Sequence, residues 1–188
     1  VTTAHGFDVE ALLKMRHSAV RNYVVPGLTS YLIGKPSPFG TMRLFHSERE
    51  HQESITPHSH RFGFQCWVLR GWVRNRIWRE IKYWEHDKTG DKWHSTELKY
   101  RGEFGEYDAK PGDIAPWFYE DSVYKAGACY GMTADDVHSI WFSRDALVLF
   151  FEGPPERDCS RILQPVADGA LVPTFKVEPW MFERDERA

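Results

Sequence analysis

The chain has 188 residues, enough for one domain with a substantial core, and its 41% hydrophobic and 27% charged residues exclude a disordered or fibrous protein. A formal net charge of -3 provides no positive field for nucleic acid, and no apolar run approaches the ~20 residues needed to span a bilayer. Three cysteines, Cys66, Cys129 and Cys159, form no CxxC pair and argue against a disulfide framework; with the acidic opening "VTTAHGFDVE" they predict a reducing, cytoplasmic setting.

In "FDVEALLKMRHSAVRNYV" the residues Phe7, Leu12, Leu13, Met15 and Val20 recur at helical spacing, with Asp8 placed to cap the first turn. The "VVPGL" that follows ends this helix, since proline lacks a donor and glycine admits unusual dihedrals. From residue 28 onward, short runs rich in Val, Ile, Tyr, Phe and Trp are punctuated by Gly, Pro and Asp, the pattern of an all-β sandwich or barrel. Turn residues crowd "EHDKTGDKWH", which predicts a hairpin between the runs on either side. Arg70, Arg74, Arg76 and Arg79 read as one polar strand face. The expected organisation is a helical extension over 1–27, a barrel over 28–153 and a proline-richer extension over 154–188 packed on the barrel.

The chemistry concentrates in "TPHSHRFGFQCWVLRG". In a strand, residues i and i+2 point to the same side, so His58 and His60 aim both imidazoles at one point. Gly63 is expected to bend the chain and reset the alternation, turning Gln65, Trp67 and Leu69 inward and bringing Gln65 beside the histidines. His138 shares a strand face with Ile140 and Phe142, so it too faces an apolar interior. Taken singly, each histidine reads as a strand-end or core residue satisfied by a hydrogen bond; together they favour a metal site. Arg43 is a candidate for holding a substrate carboxylate against the plainer reading of an exposed strand arginine, and Trp67 and Tyr130 are candidate pocket walls against plain core packing. Asp135 and Asp136 either orient His138 or form a turn. Cys66 and Cys159 read as small buried hydrophobes, and His5, His17, His46, His51, His86 and His94 as solvated.

The order His58, Ser59, His60, then Gln65 and Gly71, with His138 on a later strand, resembles the cupin superfamily over roughly residues 40 to 152. That resemblance implies a cupin double-stranded β-helix, or jelly-roll barrel, with His58, His60, Gln65 and His138 around a metal and glutamine replacing the usual glutamate. Gln52 stands where the family has a glycine, and Thr133, Asp135 and Phe142 replace its usual proline, glycine and asparagine. "KPGD" at 110 to 113 resembles a common cupin turn, and "LVLFFEGPP" resembles the thiol dioxygenases. Three neutral imidazoles imply a divalent metal, Fe(II) first, with Zn, Mn and Ni as alternatives. The implied activity is that of a mononuclear non-haem iron dioxygenase acting on a small anionic molecule. Two alternatives stand beside it: a metal-dependent isomerase or lyase, and a non-enzymatic small-molecule-binding cupin. A homodimer is expected, with no nucleic-acid or membrane partner, and no acid or base is identifiable from sequence.

Overall fold

The computed structural model describes residues 6–37, 40–51, 55–82, 84–85, 89–101, 107–166 and 184–185. In chain order they form α1 (Val9–Lys14), β1 (Arg16–Val20), β2 (Leu28–Ser37), β3 (Gly40–Ser47), β4 (Phe64–Arg70), β5 (Trp72–Glu80) and β6 (Asp91–Tyr100). There follow β7 (Tyr107–Lys125), β8 (Cys129–Met132), β9 (Val137–Phe142), β10 (Leu147–Glu152), β11 (Cys159–Pro165) and β12 (Arg184–Asp185). The strands make two sheets, one ordered β12-β1-β2-β3-β10-β4-β8 and the other β11-β6-β7-β5-β9. All strand pairings are antiparallel.

The helix starts as its sequence requires, with the Asp8 carboxylate accepting from Glu10 N at 3.0 Å and Ala11 N at 3.4 Å. It ends after six residues, and the stretch expected to continue it is β1, paired to β2. Helical spacing alone gives a segment this short little stability, whereas the β2 edge offers backbone partners in register. Residues 6–27 therefore contribute a sheet strand as well as a helix.

β5 and β6 are not a hairpin, because β7 lies between them and pairs with both. The "KPGD" stretch is not a turn: β7 runs straight through it, absorbing the irregularity as a register shift opposite His94 and Thr96. Gly112 permits this, since a Cβ there would lie 2.9 Å from the Ser95 carbonyl oxygen.

One apolar cluster fills the space between the sheets and includes Phe64, Cys66, Val68, Tyr130, Ile140, Phe142, Val148 and Phe150. A second lies on the other face of β3, β4 and β10, where Leu44, Leu69 and Leu149 meet Phe7, Leu12 and Leu13 from the N-terminal segment. A third gathers Trp78, Trp117, Val137 and Leu163, with Trp93 packed on Trp78 at 4.6 Å between ring centroids. His51 and His94, expected to be solvated, are buried; His51 lies 3.1 Å from the Ser47 hydroxyl and packs edge-on against Phe142. Cys66 is buried, while Cys159 is only partly so.

Gly71 joins β4 to β5 with φ at 72°, and a Cβ there would lie 2.5 Å from Ser143 Oγ and 3.0 Å from Ala146 Cα. Left-handed strain and overpacking add, so Gly71→Ala is expected to lower stability by about 2–4 kcal/mol in a urea titration. A loss below half a kilocalorie would mean that the turn has room to relax.

Candidate metal centre

The residues around His58 form no extended strand, yet their backbone is paired on both sides. His58 N donates to the His138 carbonyl at 2.8 Å and His138 N returns to the His58 carbonyl at 2.9 Å, while Leu163 N donates to Pro57 and Ser59 N to Arg161. The segment is thus wedged between β9 and β11, bridging to His138 on one and Ile162 on the other. Held there, it presents His58 and His60 to the cluster between the sheets. His138 arrives beside them from β9, and ligand nitrogens of all three lie within 4.8 Å of one another.

The hydrogen-bond partners set the tautomers. His58 Nδ1 donates to the Thr56 carbonyl at 2.7 Å and His138 Nδ1 donates to Asn75 Oδ1 at 3.0 Å, so each ring presents a bare Nε2 lone pair. His60 Nε2 sits 3.1 Å from His138 Nε2. Two imidazole nitrogens sharing a metal at about 2.0–2.1 Å lie roughly 2.9–3.4 Å apart, so this pair has the spacing that a shared cation needs. Without one, the contact is satisfied only if His60 donates a proton across it.

A cavity of about 110 Å³ opens beside the triad, walled by Phe45, Phe62, Phe64, Phe142, Phe150, Ile55 and Ile140. Its polar lining, apart from the histidines, consists of Arg43, Glu152, Tyr23, Tyr130 and Cys66. The histidine rings keep some surface toward the cavity but are otherwise enclosed by protein, and that enclosure holds all three pKa values below the ordinary imidazole range. Burial is the main cause; the charge of neighbouring histidines depresses His60 and His138 further. Burial likewise raises the Tyr130 hydroxyl and pushes the Cys66 thiol up to about 12, so neither is an anion at neutral pH.

Gln65 is not brought to the histidines. It is exposed on β4, while Phe64, Cys66 and Val68 take the inward positions. The alternation does not reset at Gly63: His58, His60, Phe62, Phe64 and Cys66 all line the cavity, one parity running through the bend. Trp67 accordingly faces the other way, edge-on to Phe7 at 6.1 Å, and does not line the cavity. Arg43 and Tyr130 do line it, Arg43 with its Nε 3.5 Å from Glu152 Oε2.

Asp135 and Asp136 take the turn reading, Asp136 accepting from Thr133 N and Oγ1 at 2.8 Å and Asp135 pairing with Arg157. The orienting partner of His138 is Asn75, and its signal was an amide between Val73 and Ile77 on the inward face of an otherwise apolar alternation. Glu152, also missed, continues the inward series Val148, Phe150, Glu152.

These pKa directions have a definite sign. Folded-state values below the unfolded one mean that the unfolded chain takes up protons the folded site refuses. The stabilisation is complete above about pH 6.5 and falls as pH drops below it, by up to about 1.4 kcal/mol per histidine per pH unit. In chelated protein, denaturant midpoints measured from pH 7.5 down to 5 are expected to fall more steeply for wild type than for His60→Leu. Parallel curves would show that the triad does not resist protonation.

No protein-family model matches the chain, and no curated protein matches it in sequence. Among solved structures it is similar to ferrous HppE in complex with substrate, at 10% identity and a TM-score of 0.41, over 68% of this chain and 50% of that one. It is also similar to KdgF from Halomonas sp., at 17% identity and a TM-score of 0.36, over 70% of this chain and 82% of the other. A third similarity is to the hydroquinone 1,2-dioxygenase PnpCD in complex with Cd2+ and 4-hydroxybenzonitrile, at 15% identity and a TM-score of 0.34, over 64% of this chain and 66% of that one. The chain spans half the length of the HppE chain it matches. Two antiparallel sheets enclose an inward triad of His58, His60 and His138.

Proposed function

We propose that the protein is a metal-dependent cupin enzyme in which His58, His60 and His138 hold a divalent metal, with ferrous iron and dioxygenase chemistry as the leading form. The observation that carries this reading is the convergence of three uncharged imidazoles, two with their Nε2 lone pairs fixed inward, on the wall of a cavity lined mainly by aromatic rings. A divalent first-row metal on three neutral ligands retains open positions and supplies Lewis acidity or, as iron, dioxygen activation.

The chain's own residues narrow what enters. The small volume and the phenylalanine walls favour a small molecule whose body is apolar, and they keep water from the reacting atoms. Among the described residues Arg43 is the one guanidinium on the lining, placed to orient an anionic group, with Glu152 beside it. Gln65 plays no part in this reading, so the ligand set is three histidines.

One observation favours a second reading, a Lewis-acid isomerase or lyase. Glu152 lines the same cavity, and burial raises its carboxyl above the ordinary range in spite of the Arg43 charge, the direction that suits a proton carrier.

Metal analysis of protein purified without chelators separates these readings. Wild type is expected to carry close to one equivalent of metal, His60→Ala to lose it, and Gln65→Ala to keep it. Iron together with substrate-dependent oxygen uptake supports the dioxygenase. Turnover without oxygen uptake that is lost in Glu152→Gln supports the isomerase or lyase. Failure of the wild type to retain any added metal would refute both.

A further inference from the structure

Asn75, on the far side of His138 from the cavity, is a polar side chain with no exposed surface, and it belongs to neither the histidine motif nor the cavity lining. It sits on β5 opposite Ile140, two pairs along from His138, which is itself opposite Ile77. Across that offset its Oδ1 accepts from His138 Nδ1 at 3.0 Å. An amide is asymmetric: once the oxygen is committed to the imidazole, the two N–H groups must point elsewhere. The Tyr130 hydroxyl interacts with both the Asn75 amide and the Cys66 thiol. The three groups interact electrostatically, yet the Tyr130 oxygen and Asn75 Nδ2 complete no well-formed hydrogen bond.

We propose that Asn75 is the positioning residue of the metal centre. Its acceptor end fixes His138 in the Nδ1–H tautomer with Nε2 aimed at His60. The proposal rests on the three histidines as metal ligands. His58 takes its orientation from a backbone carbonyl, which no side-chain substitution removes. His60 has no such partner among the described residues, its ring nitrogen contact being the one to His138. His138 alone depends on a side chain, so the orientation of the triad is adjustable at one residue. An aspartate in that place keeps the acceptor but loses the donor, and a leucine loses both.

The test has two readouts. In metal-free wild type, long-range 15N–1H correlation spectra are expected to show His138 as the Nδ1–H tautomer. Asn75→Leu is expected to shift His138 toward Nε2–H, and Asn75→Asp to keep Nδ1–H. Zinc affinity, measured by competition with a chromophoric chelator, is expected to fall about ten- to a hundredfold in Asn75→Leu. In Asn75→Asp it is expected to stay within a few-fold of wild type, a rescue that a purely structural asparagine would not give. An Nε2–H tautomer in the wild type overturns the proposal without any variant, so a misfolded Asn75→Leu does not rescue it. Unchanged zinc affinity in a folded Asn75→Leu also overturns it. Zinc bound by neither wild type nor His60→Ala is a different failure: it removes the metal reading, while the tautomer spectra still decide the role of Asn75.

Discussion

The site depends on one run of backbone hydrogen bonds, those that clamp residues 55–59 between β9 and β11. The reciprocal pair between His58 and His138 does two things together. It satisfies backbone groups that burial would otherwise strand, and it fixes the separation of two ligand-bearing segments. Because successive residues alternate, the clamp sends His58 and His60 toward the cluster between the sheets while Pro57 and Ser59 face away. A histidine pair on a free loop would have to be ordered by the ion itself; here the backbone supplies that order beforehand.

Burial then gives the triad its chemistry. Three imidazoles among phenylalanines are poor hosts for protons, and a group kept neutral is a ready ligand. The same apolar wall shapes its neighbours. Cys66 and Tyr130 remain protonated, so among the described residues the lining contributes no anion near the triad except Glu152, which Arg43 partly balances. The centre is therefore built from neutral donors, and charge enters only at the Arg43–Glu152 wall.

Much of this was legible in the sequence because its signals are local. The i, i+2 spacing of His58 and His60, the apolar alternation around His138 and the punctuation of short strands each need only neighbouring residues. The misreadings share a different cause. An inward Gln65 requires Gly63 to shift the parity, and whether a glycine bends or resets a strand is decided by its distant partners, here Glu156, whose carboxylate accepts from Gly63 N at 3.0 Å. The short helix, the uninterrupted β7 and the separation of β5 from β6 were each settled by a distant edge that offered hydrogen bonds. Asn75 is not legible in this way, because an asparagine between arginines reads as surface until β9 is known to lie alongside.

The distance along the chain between the ligands carries a consequence for how the protein comes to exist. His60 and His138 stand 78 residues apart, and their segments meet only through a strand pairing that also spans that interval. Closing so long a loop is entropically unfavourable until the flanking strands are in place, and architectures dominated by such pairings fold slowly. The nascent chain therefore offers an ion no more than the His58–His60 pair, and the third donor appears only with the finished barrel. An ion held by this triad would therefore be acquired after folding, its uptake set by the supply of the ion and by access through the cavity rather than by the folding reaction.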